Sequence, residues 1–168
     1  MEKIILSLDA STKSTGWAVS IKGKYYKSGV IKASSPSLTR RIIKIRDEVL
    51  KLIQEYNANI IVLEDVRVDY ASTLVTKALL WLHGALISAF YDYDKDLEIV
   101  LLKPSQWRAK LNIQGYRVKR EEQKKIDIQY VNDKYNLSLQ ENEDDEADAI
   151  GILTAYLITE DKKPKMAF

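Results

Sequence analysis

Residues 5–19, ILSLDASTKSTGWAV, contain an apolar run that stops at Asp9, a short polar loop and then a second apolar run. Runs of this kind are typical of short β-strands with buried faces. A carboxylate at the end of such a strand needs a cation, a hydrogen-bond donor or water beside it, because burying an unpaired charge is costly. Asp9 is therefore the first candidate functional residue.

The composition indicates one compact domain, because 168 residues with 46% hydrophobic content can bury a core of their own. We expect a single domain over residues 1–160 and a short basic tail over 161–168. The absence of cysteine excludes disulfides and Cys-based zinc sites, as is usual in a reducing cytosol. We also expect no signal peptide, no segment that could span a bilayer, a cytoplasmic location and no membrane partner.

The hydrophobic pattern predicts the element order βββαβαβ followed by three helices. A turn at Lys22–Lys24 separates the second and third strands, and Ser37 and Asn57 mark the ends of the first helix. The predicted strands cover residues 3–9, 16–21, 25–31, 59–64 and 97–102, the last two as continuous buried runs. The predicted helices cover 38–56 and 73–91, and three more begin near Pro104, Lys119 and Asp144.

Strands that are separated by helices pair in parallel, whereas a meander is antiparallel. We therefore predict an α/β fold with a mixed five-stranded sheet and helices on its faces. The first strand lies in the middle, between the second strand and the strand that ends at Glu64. This arrangement makes Asp9 and Glu64 neighbours where connections diverge, which is where open α/β sheets place their sites.

Two neighbouring carboxylates repel each other unless a cation lies between them. Asp145 and Asp148 are three residues apart in the first turn of the last predicted helix and so share one face. Four oxygen ligands favour Mg²⁺ or Mn²⁺ over zinc. Each carboxylate alone is more often structural than catalytic, as a turn residue, a solvated strand end or a helix start. Asp148, however, precedes an apolar run, which disfavours free exposure to solvent.

The charges are distributed unevenly, although the net charge is only +2. The charged residues of the stretch 103–125 are mainly basic, whereas residues 141–148 carry six carboxylates with no lysine or arginine. A basic surface beside an acidic site is suited to drawing in phosphates. The alternative is two solvated faces that cancel. The basic residues of the stretch are Lys103, Arg108, Lys110, Arg117, Lys119, Arg120, Lys124 and Lys125.

Three segments together resemble the RuvC-like Holliday junction resolvases of the RNase H-like superfamily, particularly the short bacteriophage members. They are LSLDASTKSTGWAV, IVLEDV and DDEADAIGI, in this order along nearly the whole chain. The resemblance implies an RNase H-like sheet with strand order 3-2-1-4-5 and helices on both faces. It also implies that Asp9, Glu64, Asp145 and Asp148 are the family's catalytic, metal-binding carboxylates, with Asp144 able to share or take the role of Asp145.

The same resemblance implies a crossover junction endodeoxyribonuclease with two Mg²⁺ (or Mn²⁺) ions per active site and no small-molecule cofactor. Its products would carry 5′-phosphate and 3′-hydroxyl ends. Its partners would be branched DNA, namely a four-way junction, and a second copy of the chain in a homodimer. Lys119 is the expected catalytic cation, with Arg120 beside it. The expected DNA-binding residues are Arg67, Tyr70, Arg108, Lys110, Arg117, Lys119 and Arg120, and the expected dimer interface contains Leu74, Lys77, Trp81 and His83.

The same sequence features also occur in other functional classes. An actin-like or sugar-kinase fold also begins with a strand, an Asp and small polar residues, but it needs a second domain for which this chain has no room. A related nuclease that cuts RNA/DNA hybrids and a non-catalytic nucleic-acid-binding module remain open alternatives, because composition does not distinguish them from a resolvase.

Overall fold

The computed structural model of the chain describes residues 2–66, 74–115 and 117–161. Within these ranges the elements follow the predicted order. The strands are β1 (Ile4–Asp9), β2 (Ser14–Ile21), β3 (Lys24–Lys32), β4 (Ile60–Glu64) and β5 (Glu98–Leu102). The helices are α1 (Leu38–Tyr56), α2 (Leu74–Tyr93), α3 (Pro104–Lys110), α4 (Arg120–Tyr135) and α5 (Asp144–Asp161).

The five strands form one mixed sheet in the order β3-β2-β1-β4-β5, which confirms the predicted fold class. The opening meander is antiparallel, with Leu8 paired to Trp17 across β1 and β2. The helix-connected strands are parallel, and Leu8 also pairs with Leu63 of β4. β1 is therefore the central strand, with β2 antiparallel on one side and β4 parallel on the other.

Alternation along the strands divides the core into two hydrophobic clusters, one on each face of the sheet. On one face, Leu6 and Leu8 of β1 pack with buried residues of α1 and α2. On the other face, Ile5 of β1 and Val62 of β4 pack with α3, α4 and α5. α5 is the most deeply buried helix, with a continuous buried run from residue 149 to 156.

Local sequence signals account for several of the boundaries. Lys22 and Gly23 both have positive φ, 56° and 72°, as a two-residue hairpin loop with a primed turn requires. Ser37 caps α1 by accepting a hydrogen bond from the backbone N–H of Arg40, and Asn57 ends the helix in the left-handed conformation. The predicted turn and both predicted ends of the first helix are confirmed.

β5 was expected to be a buried strand, and this expectation is wrong. Among the strands that the structure describes, it pairs only with β4 at the edge of the sheet, and its residues are half-buried or exposed, with Leu101 47% exposed. A continuous apolar run predicts burial on both faces, but the edge of a sheet leaves part of each face uncovered.

The expectation that no segment could span a bilayer also needs correction. By length and composition α2 could do so, with 20 residues and a mean hydropathy of 1.4. Length and composition alone do not distinguish a membrane span from a core helix, and α2 contributes a buried stripe of Leu82, Leu86 and Phe90 to the core. The rest of its apolar surface is mostly exposed or half-buried.

Candidate active site

Asp9 and Glu64 lie at the carboxyl ends of the adjacent parallel strands β1 and β4. The last pair in the ladder between the two strands is Leu8 with Leu63, so each carboxylate follows directly after a paired residue. By alternation both point to the face that α5 covers, as Ile5 and Val62 do. The strands thus bring the two predicted carboxylates together at one edge of the sheet, and each remains half-buried.

α5 places its first turn over this edge. Ser7 of β1 is fully buried, and its hydroxyl donates to the carbonyl of Ala149 (2.7 Å), which ties the middle strand to the helix. Asp145 and Asp148 lie in the first two turns, and both are half-buried. Their spacing turns both toward Asp9, whose pKa they influence electrostatically.

The four predicted carboxylates line a single cleft of about 470 Å³. Two features of the cleft were expected from the sequence: its acidic floor and an arginine on its wall, Arg120. The residues that line it are Asp9, Glu64, Arg108, Gln114, Gly115, Val118, Arg120, Gln123, Lys124, Asp144, Asp145 and Asp148.

The four carboxylates of the cleft lie close enough together that a nearby positive charge would stabilise their ionised forms. Burial raises the pKa of Asp9 well above its usual value, and the nearby Glu64 and Asp148 raise it further. Burial is also the main reason that the pKa of Asp148 is well above the usual range, and Arg108 opposes this rise. Burial raises the pKa of Glu64 and Asp145 as well. A bound cation would favour the ionised form of all four groups.

The donor set fits a hard divalent cation, since all four groups are carboxylates. Asp148 Oδ1 is buried and has no hydrogen-bond partner among the described residues, so it retains a lone pair that a metal could accept. Over residues 2–66, 74–115 and 117–161, no three acidic, His or Cys side chains are already grouped as ligands of one ion. Two of the four side chains, those of Glu64 and Asp148, are instead held by contacts with α3.

Two successive residues of α3 each contact one of the carboxylates. The indole N–H of Trp107 donates to Glu64 Oε2 (2.6 Å), and Arg108 Nη2 donates to Asp148 Oδ2 (3.1 Å). Trp107 is 1% exposed and anchors α3 in the core. α3 therefore orients the side chains of Glu64 and Asp148 through these two hydrogen bonds.

Residues 5–156 match the family model described as crossover junction endodeoxyribonuclease RuvC. The chain belongs to the RuvC family. No curated protein sequence matches it significantly.

Several solved structures share the fold of this chain at low sequence identity. A structure of Thermus thermophilus RuvC is 19% identical with a TM-score of 0.71, covering 94% of this chain and 95% of that one. T. thermophilus RuvC in complex with a Holliday junction substrate is 17% identical with a TM-score of 0.68, covering 95% and 96%. The yeast mitochondrial Holliday junction resolvase Ydc2 is 18% identical with a TM-score of 0.57, covering 91% and 77%.

The choice between Asp144 and Asp145 in this RuvC-family chain has a geometric basis. Asp144 Oδ2 pairs with Lys124 Nζ at 2.7 Å on the wall of the cleft. Asp145 instead lies near Asp9 and raises its pKa, and Ser14 opposes the burial-driven rise in the pKa of Asp145 itself. The geometry therefore favours Asp145 as the partner of Asp9, with Asp144 held by a lysine.

The predicted DNA-binding residues occupy different places. Arg120 lines the cleft, and Lys119 is the exposed N-cap residue of α4 directly before it. Lys110, at the end of α3, is exposed and lines a separate small hollow with Thr159, and Arg117 is exposed with φ 57°. Arg67 and Tyr70, which were also predicted to bind DNA, lie outside the described residues.

Arg108 was expected to hold a DNA arm, but the structure places it inside the acidic site. Its side chain is 16% exposed, and its guanidinium pairs with Asp127 and Asp148 and lies over the Trp107 ring, with Cζ 4.2 Å from the ring centroid. Both ion pairs and the stacking limit the surface that Arg108 can offer to DNA in this conformation.

The residues predicted for a dimer interface lie along α2. Leu74 is 85% exposed and Trp81 54% exposed, and Lys77 Nζ lies 5.0 Å from the centroid of the Trp81 ring. His83 is half-buried, and its Nε2 has no hydrogen-bond partner among the described residues. Burial lowers the pKa of His83. These four residues, together with the exposed Leu80, Ile87 and Tyr91, form what we name the α2 surface.

Sequence reasoning missed the residues that support the site. Trp107, Gln123 and Asp127 were not among the predicted site residues, and Lys124 was noted only as part of the basic stretch. One signal was present for Asp127: it occupies a position on α4 next to the buried Ile128 and one turn before Val131, where an apolar residue is expected.

Proposed function

We propose that this chain resolves four-way DNA junctions by metal-dependent phosphodiester hydrolysis at Asp9, Glu64, Asp145 and Asp148. The family to which it belongs is that of crossover junction endodeoxyribonucleases. The observation that carries the proposal is the convergence of these four carboxylates, from β1, β4 and α5, on one cleft. T. thermophilus RuvC, which has been solved with a Holliday junction substrate, supports branched DNA as the substrate class.

We further propose that the cations are Mg²⁺ or Mn²⁺ and that each site takes two. Support comes from the all-oxygen donor set and from Asp148 Oδ1, which has no hydrogen-bond partner among the described residues. Ions held there by the four carboxylates would supply an activated water and positive charge at the leaving 3′ oxygen. Asp9 would hold an ion together with neighbouring carboxylates, since Glu64, Asp145 and Asp148 all lie close enough to raise its pKa.

The basic residues on the cleft wall offset the repulsion between the acidic floor and a phosphate. Arg120 and Lys119 stand at the start of α4, and we assign them to the phosphate nearest the reacting bond. Lys110 and Arg117 are exposed on neighbouring segments and would hold more distant phosphates. Such contacts add affinity without reading sequence.

We propose that the chain acts as a homodimer through the α2 surface, so that two sites can cut two strands of like polarity. Five large apolar or aromatic side chains of this surface are exposed, namely Leu74, Leu80, Trp81, Ile87 and Tyr91, and contiguous exposed apolar patches are typical of interaction sites. The same argument accounts for the high hydropathy of α2 without a membrane partner.

A substrate comparison tests this function. The protein, a synthetic four-way junction and Mg²⁺ are combined, with linear duplex and RNA/DNA hybrid of the same sequence as parallel substrates. We expect paired nicks in the junction, with 5′-phosphate ends, and little cutting of the other two.

Preferential cutting of the hybrid would instead support a nuclease of the RNase H type. Binding of the junction without cutting, in Mg²⁺ and in Mn²⁺, would support a non-catalytic binding module. Either outcome would overturn the proposed activity.

A further inference from the structure

Asp127 is a buried carboxylate that does not line the cleft. It is 1% exposed, on a face of α4 whose other buried residues are Ile128 and Val131. Arg108 Nε donates to Asp127 Oδ2 (2.8 Å), and Gln123 Nε2 donates to Asp127 Oδ1 (2.8 Å). Both carboxylate oxygens are thus engaged by protein groups, which leaves Asp127 poorly placed to ligate an ion itself.

The partner of Asp127 in turn contacts the acidic site. Arg108 also donates from Nη2 to Asp148 Oδ2 at 3.1 Å, which is longer than its 2.8 Å hydrogen bond to Asp127. Stacking on the Trp107 ring restrains the guanidinium plane further. Arg108 is therefore shared between one carboxylate inside the site and one behind it.

Gln123 connects the same network to the wall of the cleft. Besides Asp127, it donates to the carbonyl of Ile113 (2.8 Å) and accepts from the backbone N–H of Gly115 (3.0 Å). Gly115 lines the cleft. One hydrogen-bonded chain therefore runs from the cleft wall through α4 and α3 to Asp148.

We propose that Asp127 is a positioning residue that keeps Arg108 from closing on Asp148. An arginine that is free of other partners tends to grip a carboxylate with two parallel hydrogen bonds. Anchored by Asp127, Arg108 donates one hydrogen bond to Asp148 Oδ2, and Oδ1 stays without a partner among the described residues. That oxygen is then available to a divalent cation. The inference rests on the proposed assignment of Asp148 as a metal ligand.

A structural role alone would have a different signature. If Asp127 only filled and satisfied the core, replacing it would lower stability and leave the metal affinity of the folded protein unchanged. If it positions Arg108, loss of its charge weakens metal binding, because Arg108 moves toward Asp148 and competes with the cation. Asp127 also acts on Asp148 directly, because its negative charge raises the pKa of Asp148. Metal affinity in the absence of DNA, compared with and without Arg108, therefore separates the two roles.

The test measures Mn²⁺ binding to the free protein by titration calorimetry and by the spin-resonance signal of unbound Mn²⁺. For Asp127→Asn we expect affinity about tenfold weaker, the usual effect of removing a group that orients a metal ligand. Asp127→Glu keeps the charge, and we expect affinity within roughly threefold of the unmodified protein even if its melting temperature falls.

α4 supplies a matched control. Gln129 Nε2 donates to Asp133 Oδ1 at 2.7 Å, the same Gln–Asp spacing as in Gln123 and Asp127, but on the exposed side of the helix. Asp133→Asn removes the same charge from the same helix and should leave Mn²⁺ affinity unchanged. If Asp127→Asn does not fold, Asp127→Ser replaces it, with the same expected weakening.

A double-mutant comparison identifies the route. In an Arg108→Met background, Asp127→Asn should weaken Mn²⁺ binding far less than it does with Arg108 present, because there is no guanidinium to release. Equal weakening in both backgrounds, or affinity within twofold of the unmodified protein for Asp127→Asn alone, would overturn the inference. Asp148→Asn is measured in parallel: unchanged binding in that variant would overturn the proposed metal site itself.

Discussion

The backbone of Gly16 lies directly against the carbonyl of Asp145, where a β-carbon on residue 16 would come within 1.7 Å of that oxygen and 2.3 Å of its carbon. Gly16 also pairs with Asp9 across β1 and β2. One glycine thus sets how closely the first turn of α5 approaches the end of β1. The separation of two proposed metal ligands depends on it.

Gly16→Ala should therefore damage both stability and activity. Because the obstructing atoms belong to backbone, α5 must shift, and we expect a loss of roughly 1–3 kcal/mol in the free energy of unfolding together with strongly reduced junction cleavage. Urea denaturation and single-turnover cleavage measure the two effects. Gly84→Ala on α2 is the control for stability, since a β-carbon there meets nothing within 4 Å. A normal cleavage rate in Gly16→Ala would contradict the close approach.

Amide substitutions test the four carboxylates without changing their shape. Asp9→Asn, Glu64→Gln, Asp145→Asn and Asp148→Asn should each slow cleavage about 100-fold or more, because the cations would lose a charged ligand. Junction binding should be retained or tighter, since anionic charge near DNA is removed. Asp144→Asn is the matched control and should keep most of the activity, because Asp144 is paired with Lys124. Near-normal cleavage in all four variants would show that the site is elsewhere.

Much of the sheet and of the acidic site could be predicted because both depend on local patterns. Apolar strands that end in Asp9 and Glu64, together with the connections between them, determine that the two carboxylates meet. The three-residue spacing of Asp145 and Asp148 determines that they share a helix face. These features need only the order and periodicity of the chain.

The supporting residues could not be predicted because they depend on how α3 and α4 pack. Trp107 and Arg108 are consecutive in a short helix, and nothing in their spacing says that they contact Glu64 and Asp148. Arg108 looked like a surface cation in a basic stretch, yet burial against Asp127 changes its environment completely. Tertiary packing decides which charges of a stretch face DNA.

The α2 surface should hold two subunits together. Trp81→Ala removes a large exposed aromatic ring and the side chain over which Lys77 lies, so we expect the dimer dissociation constant to rise by about tenfold or more. Sedimentation velocity over a range of protein concentrations measures it. Tyr26→Ala, an exposed aromatic on β3 and 60% accessible, is the control and should leave association unchanged. An unmodified protein that stays monomeric at micromolar concentration, free and on junction DNA, would disprove the two-fold arrangement.

Salt dependence distinguishes phosphate contacts from solvated charges. Arg120→Ala and Lys119→Ala should each reduce the slope of log affinity against log salt by roughly one unit. Both should also slow single-turnover cutting at saturating DNA, because a cation beside the reacting phosphate stabilises developing charge. Lys44→Ala, an exposed lysine on α1, removes the same charge away from the cleft and should change neither quantity. Unaltered slopes and rates in both cleft variants would place the DNA path elsewhere.

The repulsion and burial of carboxylates in the cleft should lower the stability of the metal-free protein relative to a variant that lacks one of these charges. Because the pKa of Asp9 is raised in the folded state, the folded protein holds this proton more tightly than the unfolded chain does, and stability falls as pH rises from the ordinary value of 3.8 through the raised one. Asp9→Asn removes this penalty. In EDTA we expect Asp9→Asn to raise the free energy of unfolding by roughly 0.5–2 kcal/mol near pH 8 and by little near pH 4. Urea midpoints across that range measure the difference, with Asp133→Asn as a control that should show no such trend. Added Mg²⁺ should reduce the difference in stability between the two proteins, because it binds the unmodified site.

An Asp9→Asn variant that is less stable than the unmodified protein at every pH would contradict this prediction. It would mean that the Asp9 carboxylate stabilises the fold.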